Sequence, residues 1–529
     1  MKVSRQLAAT LCLAMVLFSG GCSVYQSQRM EPGSGARYSG LWGVAGERWS
    51  EASRLPDFSA AGYRSGGREL PRPPVVASVR DFGAKGDGTT DDTAAFEAAL
   101  VAVDAGAVLV PRGNYRISRP LSIRRPGVVL RGEDANASVI MAAPIHGDCS
   151  VPNQGPPNCA PYQGAAMLEI EGTVGGNRLA TVVVAASRGE RRLRLSSVAG
   201  IRAGQWIRLT MRNPADNSLG CHLYLERGCL NPERRQWYSG RIVDWLVRVE
   251  SVAGDTVTLE RALRLDVRMG WSPEIRSFSA SVEDSGIENL SLRFSGEAYA
   301  GHNNEQGHYG ILIRDAYNCW VRDVTIIDAD RGVDIRGGYN TISGLQLRAA
   351  LRTPQLTAKV FATGHYGVSV AGPRSQDNLI ENSVVQTVFV HNLSVASFAN
   401  GNVFSGIRSA VPHFDHHGAG AYENLYTEIS LADSGQDLFL SGGRRPDEPG
   451  GARTTLWNVV FPGSASLGRL PQDLPGLTLV GVDGMAAYRA DPTMPDWWVE
   501  SWPGAETMPP NIYRAQRALR EQRDGTGRR

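Results

Sequence analysis

The second half of this sequence repeats with a spacing of 22 to 26 residues, and this repeat constrains the fold more than any other feature. Short apolar segments begin at Gly310, Gly332, Gly367 and Asn392, and the longer middle step leaves room for a loop near "ALRTPQLTAKVFAT". An asparagine precedes a second set of short segments: Asn318, Asn340, Asn378, Asn402 and Asn424. A repeat of this length predicts stacked coils of a β-helix.

The composition agrees with a turn-rich β protein. The 529 residues include 60 glycines and 29 prolines, and 42% are hydrophobic, which argues against disorder in the body of the chain. Charge is nearly balanced at a net +2, so nothing supports a nucleic-acid binder, which would normally carry a basic patch or stripe. We therefore expect no nucleic-acid partner.

The most diagnostic segment reads "VRDFGAKGDGTTDDTAAFEAAL" and is followed by "AGAVLVPRGNYRIS". It predicts a Gly-rich turn and then a helix capped at Asp91, Asp92 or Thr93 and continuing through Leu100, with two short strands after it. Asp87 is interpreted as a turn residue. The segment resembles the N-terminal signature of the pectate-lyase-type, right-handed parallel β-helix superfamily, which includes polysaccharide lyases, glycoside hydrolases and phage tailspikes.

This resemblance implies that the helix covers the open end of the β-helix. The predicted fold class is all-β, with a right-handed parallel β-helix, an N-terminal capping helix, an inserted antiparallel β subdomain and a short C-terminal helix. Some relatives form trimers, but the sequence does not fix the oligomeric state. The predicted divisions are a signal peptide (1–22), a tether (23–54), a cap with the first coils (55–177), the insertion (178–270), the main β-helix (271–480), and an aromatic segment with a helix and a disordered tail (481–529).

The N-terminus has the features of an export signal. Lys2 and Arg5 precede the short apolar run "LAATLCLAMVLF", and "SGGC" ends at Cys22. This pattern resembles a bacterial lipobox, which predicts lipidation of Cys22, a membrane partner through the lipid anchor, and an outer-membrane lipoprotein of the cell envelope. The alternative is an ordinary cleaved signal peptide on a secreted or periplasmic protein.

The remaining cysteines suit an oxidising compartment. Cys149 and Cys159 flank one short loop, and Cys221 and Cys229 flank another, so two local disulfides are predicted. A zinc site made from these four is the alternative, although their spacing matches no zinc motif. Cys319 lies between apolar residues and is predicted to be a buried free thiol.

Polar residues recur just before the strands of the repeat. Because strand residues alternate faces, Val333 and Ile335 are predicted to point inward while Asp334 and Arg336 point outward. Neighbouring coils are about 4.8 Å apart, so the polar residues should stack in a column. The predicted catalytic residues are His308, Tyr309, Asp330, Arg331, Asp334, His365, Tyr366, His391, Asp415 and His416. The predicted substrate-binding residues are Glu305, Arg314, Arg336, His413, His417 and Glu423.

The preferred function is a polysaccharide lyase acting on an extended, acidic glycan. In β-elimination from a uronic acid, His and Tyr can serve as base and acid, and Arg can pair with the carboxylate. The first alternative is an inverting glycoside hydrolase, which would use a carboxylate pair from Asp330, Asp334, Asp415, Glu305 and Glu423. The second alternative is a non-catalytic protein that binds glycan or acts in polysaccharide assembly.

The histidines in "HFDHHGAG" also raise the question of a metal site. Adjacent His416 and His417 diverge in a strand, whereas His413 and Asp415 could hold an ion together with a residue from a neighbouring coil. Calcium sites need more clustered carboxylates than this segment supplies. The sequence therefore predicts no cofactor, with calcium or another divalent metal as the alternative.

Overall fold

The computed structural model describes residues 35–143, 165–226, 229, 240–357, 360–417, 420–432, 437–439, 450–463, 474–484 and 496–526. The described strands and helices all lie in one compact unit, Arg37–Arg529. Cys22, Cys149 and Cys159 are outside the described residues, so the lipidation and the first disulfide stay predictions.

Three stacks of parallel strands form the body of the protein. Sheet 1 contains Val75–Ser78, Gly106–Val110, Val128–Gly132, Gly286–Glu288, Trp320–Arg322, Thr341–Ser343, Leu379–Glu381, Val403–Ser409, Leu425–Leu431, Thr455–Val460, Thr478–Val482 and Trp498–Glu500. Sheet 2 contains Asp87–Asp91, Gly113–Ile117, Ser138–Ala142, Ser291–Arg293, Thr325–Ile327, Gln346–Arg348 and Val384–Val385, and joins sheet 1 at Val403–Ser409. Sheet 3 contains Leu121–Ile123, Leu168–Glu171, Tyr309–Arg314, Arg331–Arg336, Gly364–Ala371, Phe389–Ala396 and Phe414–His417.

Six coils between Gly106 and Ala396 contribute one strand to each sheet, and the apolar faces of the three sheets close around a common core. In sheet 3 the inward row is Ile311, Val333, Val368, Leu393 and Phe414, all buried in one cluster. The predicted alternation of faces along these strands is therefore confirmed, and so is the fold class, a right-handed parallel β-helix.

A ladder of buried asparagines stiffens one corner of the β-helix. In each of three steps the side-chain Nδ2 of one asparagine donates to Oδ1 of the next: Asn340 to Asn378 at 3.1 Å, Asn378 to Asn402 at 2.8 Å, and Asn402 to Asn424 at 3.0 Å. Asn318 lies beside the ladder but contacts Glu283 instead. Stacked amides of this kind satisfy one another where no water reaches them.

The N-terminal helix spans Thr93–Ala102, as predicted, and buries Phe96 and Leu100 in the main core. Asp87 accepts a hydrogen bond from the backbone N–H of Thr90 at 2.8 Å, which confirms its role in the turn. A second helix, Ser218–Leu223, lies in the insertion, and a third, Ile512–Thr526, is the predicted C-terminal helix. Single turns of 3-10 helix occur at Val79–Phe82, Met269–Trp271 and Gly504–Glu506. No helix within the described ranges is long and apolar enough to cross a membrane.

The insertion between two coils is a six-stranded antiparallel sheet with its own core. Its strands are Arg178–Thr181, Glu274–Ser277, Trp206–Asn213, Gly240–Ala253, Thr256–Leu259 and Arg192–Arg194. Cys221, on the helix Ser218–Leu223, forms the predicted disulfide with Cys229. Cys319 is buried and free, also as predicted. Three short two-stranded pairs complete the described strands: Arg37–Tyr38 with Thr507–Met508, Val174–Gly175 with Ser279–Ala280, and Gln355–Thr357 with Val360–Ala362.

Described segments near both ends of the chain form structure that the sequence did not predict. Trp42 and Trp49, within the expected tether, are buried in a cluster with Trp457 and Ile512 because the aromatic side chains cover an apolar face of the β-helix. The β-helix also continues past residue 480 through the strand Trp498–Glu500. The last helix extends to Thr526 and so includes part of the expected disordered tail.

Candidate active site

Sheet 3 carries two rows of polar side chains on strands that lie next to one another. The first row is Tyr309, Arg331, Tyr366 and His391. The second row is Asp334, Ser369, Ser394 and Asp415. The strand spacing of about 4.8 Å brings each side chain within reach of its neighbour on the next coil.

Glycines allow the first row to pack this closely. A Cβ atom at Gly332 would lie 2.5 Å from the carbonyl oxygen of Gly367, and one at Gly367 would lie 2.4 Å from that of Asn392. Only glycine fits where backbones approach to that distance. This explains why Arg331 and Tyr366 are each followed by glycine.

The upper end of the rows is a cluster of aromatic and imidazole rings around one carboxylate. Oδ2 of Asp415 accepts a hydrogen bond from Ser394 Oγ at 2.7 Å and lies 3.1 Å from His417 Nδ1 and 3.5 Å from His391 Nδ1. Tyr366 Oη lies 3.4 Å from each ring nitrogen of His417. His417 and Tyr366 are partly exposed, whereas His391 and Asp415 are buried.

The protonation states in this cluster follow from burial and charge. Burial alone would raise the pKa of Asp415, but the adjacent His391 and His417 outweigh it and hold that pKa below its usual range. Burial lowers the pKa of His391 well below 6.5, even though Asp415 opposes the shift. At neutral pH the cluster therefore holds a carboxylate and a neutral buried imidazole.

A second imidazole pair lies against the first cluster. His365 stacks on Tyr366 with ring centroids 4.2 Å apart, and its Nδ1 lies 2.8 Å from Oε1 of buried Glu305. The rings of His302 and His365 are nearly perpendicular, at 86°, with centroids 4.3 Å apart. His302 was missed by the sequence analysis because it lies in the loop before strand Tyr309–Arg314, where the repeat gives no register.

The lower end of the rows is basic, and two of its arginines pair with Asp334. The Arg331 guanidinium is stacked between the rings of Tyr309 and Tyr366, at 4.5 and 4.9 Å, and donates to Asp334 Oδ2 at 2.9 Å. Arg336 donates to the same oxygen at 2.9 Å, and its side chain is 46% exposed, so its outer edge can meet a ligand. Arg336 and Arg331 together outweigh burial and lower the pKa of Asp334, which is therefore ionised.

Three of the predicted residues belong to buried networks rather than to this surface. His308 and Asp330 pack with Arg352, whose Nη2 is 2.8 Å from His308 Nδ1 and whose Nη1 is 2.7 Å from Asp330 Oδ1. Glu423 lies at the junction with the insertion, 3.0 Å from Arg188 and 2.9 Å from Arg453. These contacts link structural segments, so a role in binding or catalysis is not supported for the three. Arg314 extends the basic end of the rows and pairs with Glu171 at 2.7 Å.

His413 and His416 are also placed differently from the prediction. Ser394 and Asp415, which are 21 residues apart, pair across the last two strands, so this step is shorter than the 22 to 25 residues used to align the coils. A shift of one residue reverses which side chains face inward. His416 consequently pairs with Val395 on the inward row and stacks on Phe439 at 5.1 Å. His413 is buried with its Nδ1 2.8 Å from the carbonyl oxygen of Phe389.

The amino-acid sequence matches known proteins in a way that agrees with the β-helix fold. Residues 76–162 match the family model described as "Rhamnogalacturonase A/epimerase, pectate lyase-like". "Alginate lyase 7" of Azotobacter vinelandii is 54% identical over 44 residues, which are 8% of this chain and 5% of that protein. A "Probable glucan endo-1,3-beta-glucosidase" of Arthroderma benhamiae is 32% identical over 155 residues, 27% of this chain and 16% of that protein. The chain thus spans only a small part of the curated relatives it matches.

Among solved structures, the match to the tailspike gp61 of Pseudomonas phage phi297 covers 78% of this chain and 64% of the tailspike chain, with 15% identity and a TM-score of 0.41. The family match ends at residue 162, before every residue of the polar rows. The chain has the pectate-lyase-like, right-handed parallel β-helix fold.

Proposed function

We propose that this protein is a carbohydrate-active enzyme that cleaves an acidic polysaccharide by β-elimination along sheet 3. The observation that carries the proposal is the partly exposed pair Tyr366 and His417, 3.4 Å apart and supported by buried Asp415. A phenol and an imidazole at this separation can remove a proton from carbon and deliver one to a leaving oxygen.

The roles follow from what each residue touches. His417 would take the C5 proton of a uronic acid residue, and Tyr366 would protonate the glycosidic O4 as that bond breaks. Asp415 is a positioning residue, since its Oδ2 lies 3.1 Å from His417 Nδ1 and thereby fixes the ring orientation and tautomer. The electron pair of the C–H bond forms the C4–C5 double bond of the unsaturated product.

The positions of Tyr366 and His417 favour substrates with one relative configuration at C4 and C5. Tyr366 and His417 meet the substrate from one side, so the C5 hydrogen and O4 must lie on the same face of the sugar ring. Uronates of the gluco and manno configurations meet that condition, whereas galacto-configured uronates do not. Arg336 would bind a carboxylate further along the chain through its exposed edge.

Hydrolysis is less well supported because the available carboxylates are buried and already hydrogen-bonded within the protein. An inverting hydrolase needs one protonated acid and one base about 6.5–9.5 Å apart on either side of the bond. Asp334 and Asp415 are buried, and the pKa of each is lowered, by Arg336 and Arg331 at Asp334 and by His391 and His417 at Asp415. Burial raises the pKa of Glu305. Its side chain is buried, however, and its Oε1 accepts a hydrogen bond from Tyr299 Oη at 2.9 Å and lies 2.8 Å from Nδ1 of His365.

The test is a panel of polymannuronate, polyglucuronate and polygalacturonate with three readouts. We expect absorbance of the unsaturated uronate with the first two polymers, and loss of that signal in Tyr366→Phe. Tyr38→Phe, which removes an exposed hydroxyl far along the chain from the rows, is the matched control. New reducing ends without the absorbance would refute the elimination and favour hydrolysis.

The third readout is deuterium at C5 after reaction in heavy water. Exchange without elimination would mean that the C5 proton is removed and replaced from solvent, and inversion at C5 would show that the new proton arrives on the opposite face and epimerises the sugar. Binding with none of the three signals would leave a glycan-binding protein. We further propose that the enzyme is held in the cell envelope through Cys22, which labelling with a radioactive fatty acid would test against Cys22→Ser.

A further inference from the structure

Three imidazoles converge beside the proposed catalytic pair without a carboxylate among them. One ring nitrogen from each of His302, His365 and His391 lies within 4.8 Å of one from each of the other two. The ring centroids of His302 and His391 are 5.8 Å apart, and those of His365 and His391 are 5.4 Å apart. The rings come from a loop and two neighbouring coils, so the β-helix itself brings them together.

The cluster is more than a packing contact between rings. His391 is fully buried, and its Nε2 has no hydrogen-bond partner among the residues that the structure describes. A buried polar nitrogen without a partner costs free energy unless another group satisfies it. Metal coordination is one interaction that satisfies an imidazole nitrogen in a dry site.

Carboxylates stand behind two of the three rings. Glu305 Oε1 is 2.8 Å from Nδ1 of His365, and Asp415 Oδ2 is 3.5 Å from Nδ1 of His391. A carboxylate on one ring nitrogen, with the other nitrogen on the ion, is the usual arrangement around histidine ligands in proteins. In His365 and His391 the carboxylate lies beside Nδ1, so Nε2 of each ring would be the nitrogen that binds the ion.

We propose that His302, His365 and His391 bind one divalent transition-metal ion of the zinc class. Three imidazoles suit Zn²⁺, Co²⁺ or Ni²⁺, whereas Ca²⁺ requires oxygen ligands. Zinc–nitrogen bonds of about 2.1 Å place ligand atoms about 3.4 Å apart, so the ring nitrogens must approach one another by up to about 1.4 Å. His302 lies in a loop and is only half-buried, which allows that movement.

The protonation states agree with this assignment. Burial lowers the pKa of His302, His365 and His391, so each imidazole is neutral at pH 7, as a metal ligand must be. A neighbouring set, His391, Asp415 and His417, also satisfies the distance criterion. That set is already held together by the short contacts of one Asp415 oxygen, so we assign the ion to the three imidazoles.

Metal binding is measured on the tag-free full chain without polysaccharide, so the result is independent of the proposed elimination. After treatment with a chelator, the protein is dialysed against Zn²⁺ and analysed by elemental mass spectrometry, and Co²⁺ is titrated while its visible absorption is followed. We expect one ion per chain and at least 10-fold weaker binding for His302→Gln. His222→Gln, a histidine in the insertion, and His417→Gln should bind as the wild type does.

Each contrary result has a definite meaning. Retention of less than one tenth of an ion per wild-type chain, or equal binding by His302→Gln, would overturn the site. Loss of binding in His417→Gln but not in His302→Gln would place the ion in the neighbouring set and would also refute the assignment. Circular dichroism of each variant separates lost binding from lost folding.

Discussion

The asparagine ladder gives the sharpest test of how the coils are held in register, and Asn378→Leu is the change that breaks it. Four hydrogen bonds of the Asn378 side chain are lost. Its Oδ1 accepts from the backbone N–H and from Nδ2 of Asn340, at 3.0 and 3.1 Å, and its Nδ2 donates to Gly337 O and Asn402 Oδ1, at 2.9 and 2.8 Å. Leucine keeps the branched shape and excludes water from the space.

The magnitude follows from those four bonds. At about 1 kcal/mol net for each buried hydrogen bond, the free energy of unfolding should fall by about 4 kcal/mol. The compact unit Arg37–Arg529 has an unfolding entropy of about 1 kcal/mol per kelvin, taking about 2 cal/mol per kelvin for each residue. The melting temperature should therefore fall by about 4 °C.

Thermal unfolding followed by circular dichroism at several scan rates measures this shift. Asn114→Leu is the control because Asn114 lies on an exposed strand position and should change the melting temperature by less than 1 °C. If Asn378→Leu melts within 1 °C of the wild type, the buried amides do not contribute as their geometry indicates, and the reasoning fails.

Three further predictions concern charge and cross-links. The pKa of His391 is lowered well below 6.5, so its imidazole takes up a proton only on unfolding. As the pH falls below about 6.5, the free energy of unfolding of the wild type should therefore fall by about 1.4 kcal/mol per pH unit relative to that of His391→Gln. The same difference in unfolding free energy between the two proteins at pH 7.5 and at pH 5.5 would contradict this. Asp415→Asn should reduce kcat on a polyuronate about 10²- to 10⁴-fold with folding retained, because His417 loses the carboxylate that orients it. An unchanged kcat in steady-state kinetics would refute that role. Removal of the Cys221–Cys229 disulfide by double substitution with serine should lower the free energy of unfolding by about 2–3 kcal/mol, measured by denaturant titration against the untreated and reduced wild type.

The repeat made much of the fold predictable. A spacing close to one coil aligned Val333, Val368 and Leu393 on the inward row, and the structure confirms them. The same alignment brought Arg331, Tyr366 and His391 together, since the residues just before each strand keep a constant register. Local spacing therefore determines a large part of the site.

The remainder depends on features that spacing does not encode. His302 reaches the cluster through a loop whose path is set by packing of Tyr299 with Val360 and Val390. His416 was misplaced because the last step between strands of sheet 3 is one residue shorter than the range assumed, which turns His416 inward. Glu423 has the residue type of a catalytic acid, but arginines from turns of the insertion pair with it, and no local pattern predicts that contact.

The distribution of positive charge leads to a last prediction. Elimination requires a cation at the carboxylate of the reacting sugar, yet Arg331 is paired with Asp334 and Arg336 lies three strands from His417, about 14 Å away. The three-histidine site adjoins Tyr366 through His365 and would place a divalent ion where that charge is needed.

If a metal ion serves this purpose, chelator-treated enzyme should lose at least 100-fold in kcat/KM on a polyuronate and should recover with Zn²⁺ or Co²⁺. Arg336→Ala should instead raise KM about 10-fold with little change in kcat, because it contacts a sugar away from the reacting bond. Full activity of the metal-free enzyme, confirmed by elemental analysis, would show that Arg331 supplies sufficient charge despite its pairing with Asp334.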